Sequence, residues 1–233
     1  MSKKQVILLA GGTGGIGRTI VESLSTDHKI VVLGRNFDKL ENLRLTHSVE
    51  VVVGDLTDFT SLNSAVAQVM NHHGQIDVAI NSVGVLLDGS LDKLEPYEIE
   101  KVIQTNLLGA IYFSKAVLPR MKQLKSGKII HLVSQASLVG RRYRTVYNAS
   151  KWGLRGFCLS LQEEVAKYGV AVTQIHPGLV NTDLLRKAGV DPEPDRGLSP
   201  QAVAKAVKFV VEADPQLTIP EIGVRSLRDY SLA

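Results

Sequence analysis

The chain has 233 residues, 44% of them hydrophobic, with 27 basic and 23 acidic side chains for a formal net charge of +4, and a single cysteine. Such a length can bury about 70% of its unfolded surface without staples. The lone Cys158 excludes an intramolecular disulfide framework and a multi-cysteine metal site, and it fits a reducing, cytoplasmic setting. No run of about 20 apolar residues marks a membrane span. Lys3-Lys4 ahead of Val6–Ala10 imitates the start of a signal peptide, but the apolar run is too short and glycines follow at once. The charges are spread along the chain without the basic stripe that nucleic acid requires, Arg141, Arg142 and Arg144 apart.

Short apolar, β-branched runs recur at Val6–Leu9, Ile30–Leu33, Val49–Val53, Ile76–Ile80, Ile129–Val133, Val170–Ile175 and Leu217–Ile219. Most lack inward/outward alternation, which predicts strands buried on both faces. Segments with helical spacing lie between them, among them Ile16–Leu24, Leu62–Met70 and Val146–Val165. Strand alternating with helix predicts a Rossmann-like doubly wound parallel sheet of about seven strands, with helices on both faces. No linker divides the sequence, so residues 1–233 are expected to form one domain. Lys187–Pro200, with three prolines and two glycines, is the least regular stretch and is expected to form a substrate loop or lid at about 184–200.

Between the first strand and the first helix lies Ala10-Gly11-Gly12-Thr13-Gly14-Gly15-Ile16-Gly17. Glycines there let the backbone approach a pyrophosphate, and the helix N-terminus offers free N–H groups and positive potential. After the second strand comes Gly34-Arg35, where NAD-selecting folds place an acid for the ribose 2′-hydroxyl. An arginine suits a 2′-phosphate, which favours NADP and leaves NAD open.

Tyr147 and Lys151 are four residues apart in a helical stretch, so both side chains share one face. A phenol of pKa about 10 is a weak acid–base group at neutral pH. A nearby fixed cation is expected to lower that pKa. Ser134 ends the fifth strand, where open α/β sheets bind ligands, and its hydroxyl is placed to hold a carbonyl oxygen. The pair His72-His73 is not expected to bind a metal, because adjacent helical residues diverge by about 100° and no carboxylate partner is evident. His176 is expected to be structural, and Cys158 a small packing residue.

Taken together, these motifs resemble the short-chain dehydrogenase/reductase family, in its compact branch, over nearly the whole length. Gly11, Gly15 and Gly17 match the family's Gly-x-x-x-Gly-x-Gly, and Asn81-Ser82-Val83-Gly84 stands where it usually has Asn-Asn-Ala-Gly. Asn106, Ser134, Tyr147 and Lys151 fall on its catalytic tetrad. The resemblance implies Tyr147 as proton donor, Ser134 as the carbonyl-positioning group, Lys151 on the nicotinamide ribose and Asn106 holding a relay water. It also implies cofactor contacts from Thr13, Gly14 and Ile16 in the glycine loop, and from Asp55 and Leu56 at the adenine. Further contacts are implied from Asn81, Val83 and Gly84, and from Pro177, Gly178, Val180 and Thr182 around the nicotinamide. Two departures stand out: Val83 is bulkier than the family's alanine, and Gly14 replaces the basic residue of many NADP-preferring relatives.

The implied activity is an NADP-dependent oxidoreductase acting on a ketone, aldehyde or 3-oxoacyl substrate. An NAD-dependent alcohol dehydrogenase and a non-catalytic NADP(H)-binding redox sensor are the alternatives. Sensors of that kind typically lose the tyrosine or lysine that are both present here. The basic Arg141–Arg144 stretch is expected to rim the substrate pocket, either as a solvated loop or as a recruiter of anionic or carrier-bound substrates. By the same resemblance, Tyr97–Lys122 and the helix after Tyr147 are expected to build a homodimer or homotetramer contact.

Overall fold

The computed structural model describes residues 4–187 and 197–227. Its strands are β1 (Val6–Ala10), β2 (Lys29–Gly34), β3 (Glu50–Val53), β4 (Val78–Asn81), β5 (Gly127–Leu132), β6 (Val170–Pro177) and β7 (Glu221–Val224). The α-helices are α1 (Gly15–Leu24), α2 (Phe37–Thr46), α3 (Phe59–His73), α4 (Pro96–Ile103), α5 (Gly109–Leu124), α6 (Thr145–Val165), α7 (Asp183–Lys187) and α8 (Pro200–Glu212). The strands form one seven-stranded sheet in the order β3-β2-β1-β4-β5-β6-β7, every pairing parallel.

This is the expected Rossmann-like architecture, and β1 shows why its strands lack alternation. Leu8 and Ala10 point into one core with side chains of α3, α5 and α6, whereas Ile7 and Leu9 point into a second core with α1, α2 and α8. Both faces are covered, so every residue of β1 is buried. The chain runs from β1 outward to β3, then returns to β4 on the other side of β1, which opens a crevice at their C-terminal ends. Ala10 and Asn81 are register partners at that opening. Lys128, buried in β5, donates from Nζ to the carbonyls of Val210, Val211 and Ala213, and so caps the C-terminus of α8.

One element boundary differs from expectation. The last strand is Glu221–Val224 and not Leu217–Ile219: Leu217 is exposed, and Pro220 immediately precedes the paired residues. The apolar triplet is attractive in isolation, but Pro215 and Pro220 flank it and deny it a ladder. The stretch Tyr97–Lys122 takes in most of α4 and α5. A π-helical turn, Gln104–Leu108, joins α4 to α5 and turns Asn106 into the interior. The expected loop at about 184–200 lies largely outside the described residues. Its flanks are α7 and the start of α8, whose N-cap Ser199 accepts from the Ala202 N–H.

Candidate functional site

The site is assembled along the C-terminal edge of the sheet. Gly11 follows β1 with φ of +84°, a left-handed conformation suited to glycine. The loop it begins closes tightly: a Cβ on Gly17 would lie 2.1 Å from the Gly11 carbonyl oxygen, and one on Gly15 would lie 2.8 Å from Cγ2 of Thr182. Thr13, Gly14 and Gly15 are exposed at its lip. No side chain caps α1 and no acidic residue occupies its first turn, whereas α2, α3 and α8 all have side-chain caps. A close-approach glycine cradle leading into free N–H groups fits a pyrophosphate.

Arg35, just beyond β2, is largely exposed at 71% and meets the Asp55 carboxylate at 3.4 Å. Asp55 in turn accepts from the N–H and hydroxyl of Thr57 at 2.8 and 2.7 Å. Burial raises its pKa, but these bonds and the Arg35 charge outweigh it and hold the carboxyl below the usual range.

The wall after β4 is held by a buried network. Asn81 Oδ1 accepts from the Val83 N–H at 3.0 Å, and its amide nitrogen faces His131 Nδ1 at 3.4 Å. On the other side of the ring, His131 Nε2 lies 2.9 Å from Ser114 Oγ. Because the Ser114 hydroxyl donates to the Ala110 carbonyl, it must accept from His131, so the proton sits on Nε2 and Nδ1 accepts from Asn81. Burial supports that neutral form and pushes the histidine pKa down to about 3. Val83, the bulkier departure, packs against Gly11, where an added Cβ would lie 3.0 Å from its Cγ2.

Asn106, turned inward by the π segment, accepts from the Val85 N–H at 2.8 Å and donates to the Val85 carbonyl and to Ser150 Oγ. Its side chain is therefore occupied in fixing the Val85 backbone, and a relay water would have to sit elsewhere on that turn. The residue still shapes the site, because a Cβ on Gly84 would stand 3.5 Å from its Oδ1 and 3.6 Å from Lys151 Nζ.

Ser134 follows β5 and accepts from the Ala136 N–H. Tyr147 and Lys151 lie one turn apart on α6, as their spacing predicts. Lys151 is buried, donates to the Leu132 carbonyl at 3.2 Å, and holds its Nζ 5.8 Å from the centroid of the Tyr147 ring. Burial lowers its pKa to about 8. The expected lowering of the Tyr147 pKa by this cation is not what the structure gives. Desolvation dominates and raises it, against smaller opposing effects from a hydrogen bond with Ser134 and from the Arg144 charge. A protonated phenol at neutral pH is the form that can donate to a carbonyl.

One supporting group is a histidine behind Ser134. His176 Nδ1 lies 2.9 Å from Ser137 Oγ and 3.2 Å from the Ser134 carbonyl, while its Nε2 is 3.6 Å from Glu221. Glu221 is also gripped by Arg155 at 2.8 Å. The histidine is structural, as expected, but what it supports is the backbone of Ser134. Pro177-Gly178 continues β6 beside β7, Val180 bridges to Leu198, and Thr182 leans on the glycine loop. Arg144 pairs with Asp88 at 2.9 Å, and the Gly89 N–H donates to the Tyr143 carbonyl, so two loops meet at the rim. Arg141 and Arg142 are exposed there. Cys158 is buried, which pushes its thiol up, away from reactivity.

A parallel seven-stranded sheet with a glycine loop, and Ser, Tyr and Lys gathered at its C-terminal edge, defines a dinucleotide-dependent oxidoreductase class. The chain belongs to the short-chain dehydrogenase family, whose model matches residues 5–193, and it is an oxidoreductase of that type, a class that works with a nicotinamide cofactor. It is 32% identical over 225 residues to an uncharacterized oxidoreductase of Staphylococcus aureus (strain MRSA252), covering 95% of this chain and 96% of the other. Its fold is similar to that of serine dehydrogenase from Escherichia coli, with TM-score 0.84, 27% identity and coverage of 94% and 97% of the two chains. An actinorhodin polyketide ketoreductase with NADPH gives TM-score 0.87 at 25% identity, covering 97% and 98%. Among the described residues no helix is long and apolar enough to cross a membrane.

Proposed function

We propose that residues 1–233 act as one dinucleotide-binding and catalytic unit, with a substrate loop at about 184–200, transferring hydride between the nicotinamide of NADP and a carbonyl/hydroxyl substrate of ketone, aldehyde or 3-oxoacyl type. The observation that carries this reading is the placement of Tyr147 one turn from Lys151 on α6, with the buried Lys151 Nζ 5.8 Å from the centroid of its ring. Ser134 holds the substrate oxygen, and Tyr147 gives that oxygen its proton during reduction. Lys151 binds the nicotinamide ribose and supplies fixed positive charge beside the phenol. Asn106 holds the Val85 wall in place, and the lost proton returns through a water on the same turn. When bound, the nicotinamide supplies the hydride, so the protein's task is orientation and proton delivery.

The glycine loop and the N-terminus of α1 take the pyrophosphate, Asp55 and Leu56 the adenine, and Pro177, Gly178, Val180 and Thr182 the nicotinamide. NADP is favoured because Arg35 is exposed and its bond to Asp55 is long, leaving the guanidinium able to turn to a 2′-phosphate. The exposed Arg141 and Arg142 suit an anionic or carrier-bound substrate. Exposed Trp152 and Leu159 on α6 suit a homodimer or homotetramer contact.

The test is Tyr147→Phe, assayed with NADPH on a panel of ketones, aldehydes and 3-oxoacyl thioesters. Turnover should fall about 10²–10⁴-fold with NADPH affinity nearly intact, and wild-type-like turnover would refute the assignment. Fluorescence titration with NADPH and NADH, repeated with Arg35→Asp, tests cofactor choice. A strong NADPH preference lost in the variant supports the phosphate role, and equal affinities would move the assignment to NAD.

A further inference from the structure

On the opposite edge of the sheet, the start of β3 faces the last turn of α3. Glu50 Oε2 lies 3.1 Å from His73 Nε2 and 3.8 Å from His72 Nε2. The three ligand atoms all fall within 4.8 Å of one another. Divergence and want of a carboxylate argue against a metal at this histidine pair from sequence alone, and the folded chain removes both objections. The two rings stand edge-on, 4.6 Å apart at 89°, each presenting the same nitrogen to one oxygen, and the carboxylate comes from a strand 23 residues away.

We propose that Glu50, His72 and His73 form a divalent zinc-class metal site. In a tetrahedral zinc centre with bonds of about 2.0–2.2 Å, neighbouring ligand atoms are separated by about 3.4 Å. The two Glu50 distances straddle that value. His73 is 5% exposed and already fixed, while His72 is 73% exposed and free to close the remaining edge by rotation. Two imidazoles and one carboxylate form a borderline donor set that favours zinc over calcium or magnesium, and water completes the fourth position. The metal ties the edge strand β3 to the end of α3, where the Glu50 carboxylate otherwise meets the His73 ring at 3.1 Å. Because the site sits at the N-terminal end of β3, it serves stability and not hydride transfer.

The experiment uses the untagged full chain, so that no affinity tag contributes imidazoles. Zn²⁺ is titrated by calorimetry and against a chromophoric chelator, for the wild type, Glu50→Gln, His72→Gln and His73→Gln, with His47→Gln as the control. One equivalent of Zn²⁺ should bind. Each of the three substitutions should weaken it by at least about tenfold, since even outer partners of metal ligands are worth that much, while His47→Gln should not. Zn²⁺ should raise the thermal midpoint of the wild type and not that of His72→Gln, whose exposed side chain can be replaced without harming the fold. Millimolar or absent binding, or equal binding by wild type and His72→Gln, would overturn the site.

Discussion

The two ends of the parallel sheet treat polar side chains in opposite ways. At the C-terminal end Asn81, Asn106, His131 and Lys151 are all at most 3% exposed. Each is held by directed hydrogen bonds to neighbours that are themselves fixed. At the N-terminal end of β3, Glu50 and His72 are more than half exposed, and only His73 is anchored. A network of the first kind stores geometry before any ligand arrives, which suits orientation of a reacting carbonyl. A cluster of the second kind can adjust its bond lengths to whatever it captures. The difference implies that substitutions at the catalytic end damage function and stability together, whereas substitutions at the other end act on one property at a time.

The strongest way to test that division is Gly17→Ala. Its Cβ would meet the Gly11 carbonyl at 2.1 Å, a backbone-on-backbone clash that no rotamer relieves. Cofactor binding should become undetectable by fluorescence titration and the urea unfolding midpoint should fall with it, while far-UV circular dichroism still reports a folded chain. Retained affinity would show that the loop is less tightly closed than the structure has it. Next is Asn106→Ala, which leaves the Val85 N–H and carbonyl without their side-chain partners. A loss of about 1–3 kcal/mol in urea unfolding is expected, with turnover falling as the Val85 wall loosens. A variant that loses stability and keeps full turnover would detach Asn106 from the site.

Much of the arrangement of the candidate site was legible because its signals are local. Glycine spacing, Tyr147 and Lys151 one helical turn apart, and Ser134 at a strand end each follow from a short stretch read alone. Apolar runs without alternation likewise announced strands covered on both faces. What escaped depends on long-range pairing. Nothing in the stretch around His131 reveals that it meets Asn81, 50 residues earlier, or Ser114, 17 residues earlier. The convergence of Glu50 with His72-His73 was hidden for the same reason, since it needs β3 and α3 folded against each other. The direction of the Tyr147 pKa is not legible from spacing, which shows a neighbouring charge but not the burial that raises the value. The last strand was misplaced because hydrophobicity drew attention to Leu217–Ile219, while pairing with β6 is made by the less apolar Glu221–Val224.

The buried network also predicts how the catalytic end responds to acid. His131 is neutral in the fold with a pKa of about 3, against about 6.5 for a free histidine, so below pH 6.5 the unfolded chain binds a proton that the native state refuses. Its contribution to stability is therefore complete above pH 6.5 and lost as pH falls from there toward 3. His28 and His176 are shifted in the same direction by burial and add to the slope. Each such group contributes at most about 1.4 kcal/mol per pH unit. His131→Gln should lower absolute stability at pH 7, because Asn81 and Ser114 are partnered less well, but flatten the slope of unfolding free energy between pH 6.5 and 5 by up to one proton. Urea titrations at several pH values measure both. An unchanged slope would mean that the acid sensitivity lies elsewhere and that the ring at the centre of the Asn81 wall takes up a proton without opening it.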